Sequence, residues 1–325
     1  MNKAKLEKEK KNAKLLFQYF AHYGFSHGFW TFVDAFCSRL KIQKVYENAD
    51  KKRYEYCKNY LRKNYSDIIK KYQNTNLAES LDTISEESNI WVFWWQGEKE
   101  LPYPVDLCLQ SIKANRGKHE VIVITKDNFR DYVTLPSFII EKFESGKMPI
   151  ALFSDVLRFE LLNHYGGIWL DSTFYMTGKL SSEIYSHCFY SIANDHGRKW
   201  CVTKDLWSIC LMAMGKGNPL AAYLCDMNKI YWKKEDINIA YLLSDCFIAI
   251  AYEDIEAFKN MIDLVPTNNT GVFDLLEPIR NEICSQQEFK NLMGETYIHK
   301  LTYKEKYIAE VDGKKTYFGW LISYQ

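Results

Sequence analysis

Proline and glycine are scarce in this chain, 7 and 15 among 325 residues, which excludes a collagen-like repeat, and no internal repeat is evident. No two of the nine cysteines form a C-x-x-C pair, so neither a zinc ribbon nor a thioredoxin-like redox motif is available. Several cysteines, Cys210 and Cys246 among them, sit in apolar surroundings and read as reduced core thiols of a cytosolic protein. A secretory signal is missing too, because the lysine-rich N-terminus runs into an aromatic segment without a small-residue cleavage site; a cytoplasmic location is expected. Excess charge is lacking overall: 42 Lys and Arg against 41 Asp and Glu leave a net +1, which gives no case for nucleic acid as a partner.

What is present is enough for a sizeable core. Hydrophobic residues make up 47% and charged residues 26% of the chain, which excludes disorder and coiled-coil rods and allows one large domain or two modest ones. Aromatics reach 16%, a density that fits either a large packed core or a site for flat or sugar-like ligands.

The near-zero net charge hides an asymmetry. Residues 1–71 hold 17 Lys and Arg against 7 Asp and Glu, a balance of +10, whereas residues 72–325 hold 25 against 34, a balance of −9. Within the basic head, Leu15 to Val33 has no charged residue, yet Gln18, His22, His27 and Thr31 make it too polar for a membrane span of about 20 apolar residues. The cluster Lys3, Lys5, Lys8, Lys10, Lys11 and Lys14 beside this aromatic stretch suits a segment lying on an anionic membrane surface, peripheral on the inner face of the cell membrane. A helical hairpin packed on the body with a solvated charged face reads equally from the pattern.

Between Ile42 and Tyr72, Tyr56, Tyr60, Leu61, Ile68 and Tyr72 recur near helical spacing and predict a helix. A polar stretch over Asn74 to Ser88 reads as a linker, which divides the chain into a basic helical region and linker, 1–88, and a body, 89–325. In the body, a β-rich run at Asn89 to Gln96, a helix at Val105 to Ala114 and a strand at His119 to Thr125 form a βαβ unit and imply a parallel sheet. Further helices are predicted over Pro149 to Tyr165, Pro219 to Lys233 and Ile237 to Tyr252, and a short strand over Ile168 to Asp171.

The informative stretch is Ala151 to Thr173, ALFSDVLRFELLNHYGGIWLDST. Asp155 and Arg158 are three apart on one helix and share a face, as a surface ion pair or as two groups converging on a ligand. Gly166 and Gly167 let the chain reverse, and the next strand delivers Asp171 to its carboxyl end, where open α/β sheets bind ligands. A carboxylate there suits a hard cation such as Mg2+ or Mn2+, or simply caps a turn. Asp245, within the apolar run YLLSDCFIAIA, is a buried acid, either paired in the core or facing an acceptor.

The motifs SDVLR (Ser154 to Arg158) and GGIWLDST (Gly166 to Thr173) resemble those of nucleotide-sugar-dependent glycosyltransferases with a D-x-D motif, most closely the bacterial capsular polysaccharide synthesis glycosyltransferases. More distant relatives are the yeast initiating mannosyltransferase and the clostridial glucosylating toxins. The resemblance covers about Ile90 to about Lys304. It implies an α/β fold with a GT-A-like, Rossmann-type nucleotide-sugar-binding domain, to which the basic head adds a helical N-terminal extension. It also implies transfer of a sugar, with retention, from a nucleotide diphosphate sugar such as a UDP-sugar to a glycan or lipid-linked oligosaccharide acceptor, with a divalent metal ion as cofactor. The alternative is a non-catalytic nucleotide- or glycan-binding assembly protein of the same fold. Asp155 and Arg158 match the acid and arginine that hold the donor sugar and place the diphosphate. Asp171 matches the first acid of D-x-D, which reaches ribose and metal; the second is Thr173, a weaker ligand. Trp94 or Trp95 matches an aromatic that stacks on the uracil ring. In YIHKLTYK, His299 is the implied metal or diphosphate contact, and Lys300 and Lys304 the implied phosphate contacts.

Overall fold

The computed structural model describes residues 3–40, 42–75 and 81–323, with side chains at 10 and from 12 onward. The head is helical: α1 (Lys3–Tyr23), α2 (Phe25–Leu40), α3 (Gln43–Asn64) and α4 (Ser66–Gln73) follow one another. Gly24, at φ +87°, takes the left-handed conformation that reverses the chain between α1 and α2, and Gly28 leaves room for the Phe20 ring, which a Cβ would strike. The helix predicted over Ile42 to Tyr72 is two helices, broken at Tyr65 (φ −128°, ψ 23°), so that α4 turns to pack on a later helix. Residues 76–80 of the predicted linker, and the side chains of Lys3, Lys5, Lys8 and Lys11, lie outside the described residues.

The body begins with the expected βαβ unit, β1 (Ile90–Phe93), α5 (Val105–Asn115) and β2 (Val121–Ile124). Two short helices, α6 (Phe129–Tyr132) and α7 (Ser137–Glu144), lead to α8 (Ile150–Tyr165), which ends at Gly166 and feeds β3 (Gly167–Leu170). Then come β4 (Phe174–Met176), β5 (Phe189–Ser191), β6 (Leu211–Met214), α9 (Pro219–Lys234), α10 (Leu243–Asp254) and α11 (Glu256–Asp263). The helix predicted from Ile237 therefore begins six residues later, at Leu243. The chain closes with α12 (Gln286–Met293), β7 (Ile298–Lys300), the hairpin β8 (Glu310–Val311) and β9 (Lys314–Lys315), and α13 (Tyr317–Ser323).

The central sheet has the order β2-β1-β3-β6-β5. β1 is parallel to β2 and β3, whereas β6 is antiparallel to both β3 and β5, so the sheet is mostly parallel with one reversed strand. This is the mixed α/β architecture expected of a GT-A-like domain, with the helical N-terminal extension added. β4 and β7 pair separately, Phe174 opposite Lys300 and Tyr175 opposite His299.

One hydrophobic cluster joins head and body: Tyr23, Tyr54 and Leu61 share it with Trp91, Phe159, Trp169 and Phe247. Ion pairs fasten the same seam, Lys58 to Glu253 at 2.7 Å and Arg62 to Asp254 at 2.7 Å. Much of the aromatic excess is therefore core, each ring withdrawing about 1.5–3 kcal/mol worth of apolar surface from water.

Candidate active site

The site is assembled at the carboxyl edge of β3. Gly166 and Gly167 have φ of 69° and 101°, and a Cβ on either would lie 2.7 Å from Lys216 N or 2.5 Å from Asn89 O. Only glycine permits both the turn and the close approach that set β3 in register. Directly after β3, the Asp171 backbone N–H donates to Cys210 O at 2.9 Å, and the Thr173 carbonyl accepts from Leu301 N at 2.9 Å. The Asp-Ser-Thr turn is thus held between β6 and the end of β7.

Four charged side chains converge there. Arg158, buried on α8, donates from Nη1 to Asp155 Oδ1 at 2.7 Å and from Nη2 to Asp171 Oδ1 at 3.2 Å. Lys300 Nζ meets Asp171 Oδ2 at 2.5 Å. Trp169 Nε1 donates to Asp171 Oδ1 at 3.0 Å, and the Arg158 guanidinium lies 4.6 Å from the centre of a Trp169 ring. Ser244, on α10, donates to Asp155 Oδ2 at 2.7 Å. Two carboxylates and two cations give a locally neutral quartet.

The surroundings tune each acid differently. Burial opposes ionisation of Asp171, but Lys300 and Arg158 outweigh it and hold the pKa at about 2. Asp155 is pushed up, first by burial and also by the Asp171 charge, against the pull of Arg158 and Ser244. Burial likewise opposes the charge of Lys300, yet Asp171 raises its pKa.

Of the residues singled out from the sequence, Asp155, Arg158, Asp171 and Lys300 are brought together. Trp94, just past β1, stands edge-on to Tyr303 with ring centres 5.5 Å apart, and its indole donates to Glu100 O at 3.2 Å. Lys304 is exposed on the same segment as Tyr303. Trp95 goes elsewhere: its ring packs edge-on against Phe143 and Phe153, at 5.0 and 5.7 Å, inside an aromatic cluster.

His299 does not join the quartet. Successive residues of a strand face opposite ways, so with Lys300 on Asp171 the imidazole lies on the far side of β7, wholly buried. Neither ring nitrogen makes a well-formed hydrogen bond, and burial, opposed by the Thr296 backbone, drives its pKa down to about 4. The expected metal set of Asp171, Thr173 and His299 is therefore not assembled, because the strand presents Lys300 in place of its neighbour. Asp171 is the one carboxylate at the turn, and both its oxygens already accept hydrogen bonds. Among the described residues no three His, Cys, Asp or Glu side chains gather as a cation site. No all-protein cation cage is preformed among the described residues, and Asp171 is the single carboxylate of the turn that a cation shared with the phosphates of a donor would use.

Beside the quartet lies a cavity of about 180 Å³ whose walls include Cys210, Asp245, Trp207, Asn194, Ser208 and Phe273. Asp245 Oδ1 accepts from Trp207 Nε1 at 3.0 Å, and burial, then the nearby Asp155 charge, raises its pKa to about 7. Asn194 Oδ1 is buried without a partner. Asn194 and Trp207 carried no signal in the sequence, since their positions depend on loops without a motif.

No curated protein matches the chain. A solved structure similar to it is the PaToxG glycosyltransferase, 15% identical over 65% of this chain and 83% of that one, with a TM-score of 0.39. Residues 38–321, which span the second half of the head, the quartet and the cavity, match the capsular polysaccharide synthesis protein family, and the chain belongs to that family.

Proposed function

We propose that the chain is a glycosyltransferase that moves a sugar, with retention, from a nucleotide diphosphate sugar, in the first place a UDP-sugar, to a hydroxyl of a growing capsular or surface polysaccharide. Its setting would be the cytoplasmic face of a membrane, where a glycan or lipid-linked oligosaccharide acceptor is presented. The observation that carries the reading is the quartet of Asp155, Arg158, Asp171 and Lys300 at the carboxyl edge of the sheet.

The leaving group is a nucleoside diphosphate, so catalysis must stabilise negative charge growing on phosphate oxygens. Lys300 carries three N–H donors and one meets Asp171, which leaves two for phosphate. Arg158, fixed by both acids, adds a second positive charge. In this scheme the two side-chain cations supply the neutralisation. Asp155, held by Ser244 and Arg158, would orient the hydroxyls of the transferred sugar, a positioning effect. Trp94 and Tyr303 offer an aromatic wall for the base, and Lys304 a charge beside it. The neighbouring cavity, with Trp207 and Asp245, has the mixture of ring faces and polar groups that suits an acceptor sugar.

The self-satisfied charges of the quartet favour a second reading, a non-catalytic nucleotide- or glycan-binding assembly protein. A thermal-shift screen of nucleotide diphosphate sugars, followed by measurement of nucleoside diphosphate release with glycan acceptors, separates the two. The transferase reading expects one donor class to raise the melting temperature and to be turned over. Stabilisation without release would support the assembly role, and no response to any nucleotide diphosphate sugar or to any glycan would overturn both.

A further inference from the structure

Helix α2 is inside out. Phe25, Phe29, Phe32, Phe36 and Leu40 recur at intervals of four and three and form one stripe, and that stripe is exposed by 75, 40, 49, 50 and 55%. The buried side of the same helix holds His27, Gly28, Asp34 and Cys37. The exposed rings pack on one another along the stripe, Phe25 on Phe29 at 5.9 Å and Phe32 on Phe36 at 6.0 Å. Phe17 of α1 is 74% exposed, and Ile42 and Val45, just beyond α2, are 43% exposed each. Single exposed apolar side chains are ordinary, but a contiguous face of this kind marks an interaction surface.

Charge identifies the occupant. From Lys10 to Tyr46 the sequence holds one acid, Asp34, and it is buried against Arg53 at 2.9 Å. The exposed basic residues stand at the edges of the apolar face: Lys10 and Lys14 precede Phe17 by seven and three positions, on its side of α1, and Lys44 lies between Ile42 and Val45. A second copy docking through the same face would set these lysines against their own counterparts, at a like-charge cost. An anionic bilayer supplies both the opposite charge and an apolar layer for the rings. The 16 residues of α2 span about 24 Å at 1.5 Å each, short of a hydrocarbon core of about 30 Å. Among the described residues no helix is long and apolar enough to cross a membrane. We infer that the α1–α2 face is an interfacial docking surface for anionic membrane, with α2 lying in the plane of the headgroups and its Phe stripe directed into the lipid.

This inference stands on the surface alone and not on the catalytic reading. The test is sedimentation of the full chain with vesicles of phosphatidylcholine and with vesicles rich in phosphatidylserine. The wild type is expected on the anionic vesicles. Phe29→Ser with Phe32→Ser should weaken that binding by about tenfold or more, since each ring loses its transfer into an apolar layer. Lys14→Glu with Lys44→Glu should remove the preference for phosphatidylserine. Unchanged melting temperatures and circular dichroism show that the variants are folded, so a loss of binding reports on the surface. Equal vesicle binding by wild type and the Phe variant, absence of binding by the wild type, or a dimer in sedimentation velocity that the Phe substitutions dissolve would each overturn the proposal. UDP binding, measured on the same samples, reports separately on the catalytic reading.

Discussion

Replacing Lys300 by Met removes the cation on Asp171 Oδ2 and leaves an apolar chain of similar reach. The magnitude follows from the acid it serves. Asp171 ionises at about 2 instead of 3.8, and at about 1.4 kcal/mol per pKa unit that corresponds to roughly 2 kcal/mol of native-state stability. Lys300 is the largest of the groups that favour the carboxylate, so Lys300→Met should forfeit about 1–2 kcal/mol, with a quarter of the Asp171 side chain still solvated. Asp171→Asn should cost about 3 kcal/mol, because it leaves a buried ammonium without its anion and faces it with an amide. The double variant restores a neutral pair, so its loss should fall short of the sum of the two single losses by about 1 kcal/mol or more. Urea unfolding of the four proteins measures the cycle, and a drop of about 1–2 °C in melting temperature per kcal/mol gives a second readout. A folded pKa below the unfolded one gives stability that is full above pH 3.8 and is lost as the pH falls toward 2; Asp171→Asn should erase that acid limb. Strict additivity, or an unchanged acid limb, would refute the coupling between Lys300 and Asp171. On the functional side, Lys300→Met should weaken UDP binding measured by calorimetry, and undiminished affinity would remove Lys300 from the diphosphate contacts.

His299→Leu should be close to neutral at pH 7.5, since an apolar group replaces a buried imidazole that makes no well-formed hydrogen bond, and should retain UDP binding. The buried imidazole resists protonation down to about pH 4 against 6.5 when exposed, so the wild type should lose up to about 3 kcal/mol as the pH falls between those values, and the variant should lose less. Parallel pH profiles of melting temperature would contradict this. Asn194→Leu removes an unpartnered buried oxygen, so its stability should hold or rise, while the KM for acceptor should rise with donor affinity unchanged. An unaltered acceptor KM would free the cavity from its proposed role. Because Asp171 is the one carboxylate of the turn and its oxygens are already engaged, UDP affinity should survive exhaustive chelation. A loss restored by Mn2+ would show that the side-chain cations do not suffice.

The convergence of side chains that is legible in the sequence is the part set by local signals. Gly166 and Gly167 punctuate the chain between an apolar helix and a short strand, so the placement of α8 and β3, and the convergence of Asp155, Arg158 and Asp171, follow from one contiguous stretch. The break at Tyr65 has no glycine or proline to announce it; the chain turns there because the Tyr72 ring packs on Tyr223 and Phe258, contacts far away in sequence. Adjacent tryptophans raise a similar difficulty. Trp94 and Trp95 are equivalent candidates by position, and only the placement of Phe143 and Phe153 on one side and Tyr303 on the other decides which rings each one meets. At β7 a three-residue strand shows no usable periodicity, and a shift of one position exchanges His299 for Lys300 at the acid.

The head presents the same problem on the scale of a helix. Its apolar periodicity is plain in the sequence, but periodicity states that a face exists and not which way it points. In α2 the direction is set by the polar side: Asp34 finds Arg53, and His27 packs edge-on to Tyr19 and Tyr23 and stacks with Tyr56, all of which require the polar side to face inward. The large rings are then forced outward, and each forgoes a good part of the 1.5–3 kcal/mol that burial would contribute. Against a total folding stability of about 5–15 kcal/mol, five such side chains on one helix represent a substantial unused driving force. A lipid layer is the surrounding that recovers it without reversing the helix, and the basic rim directs the same face toward lipid of negative charge.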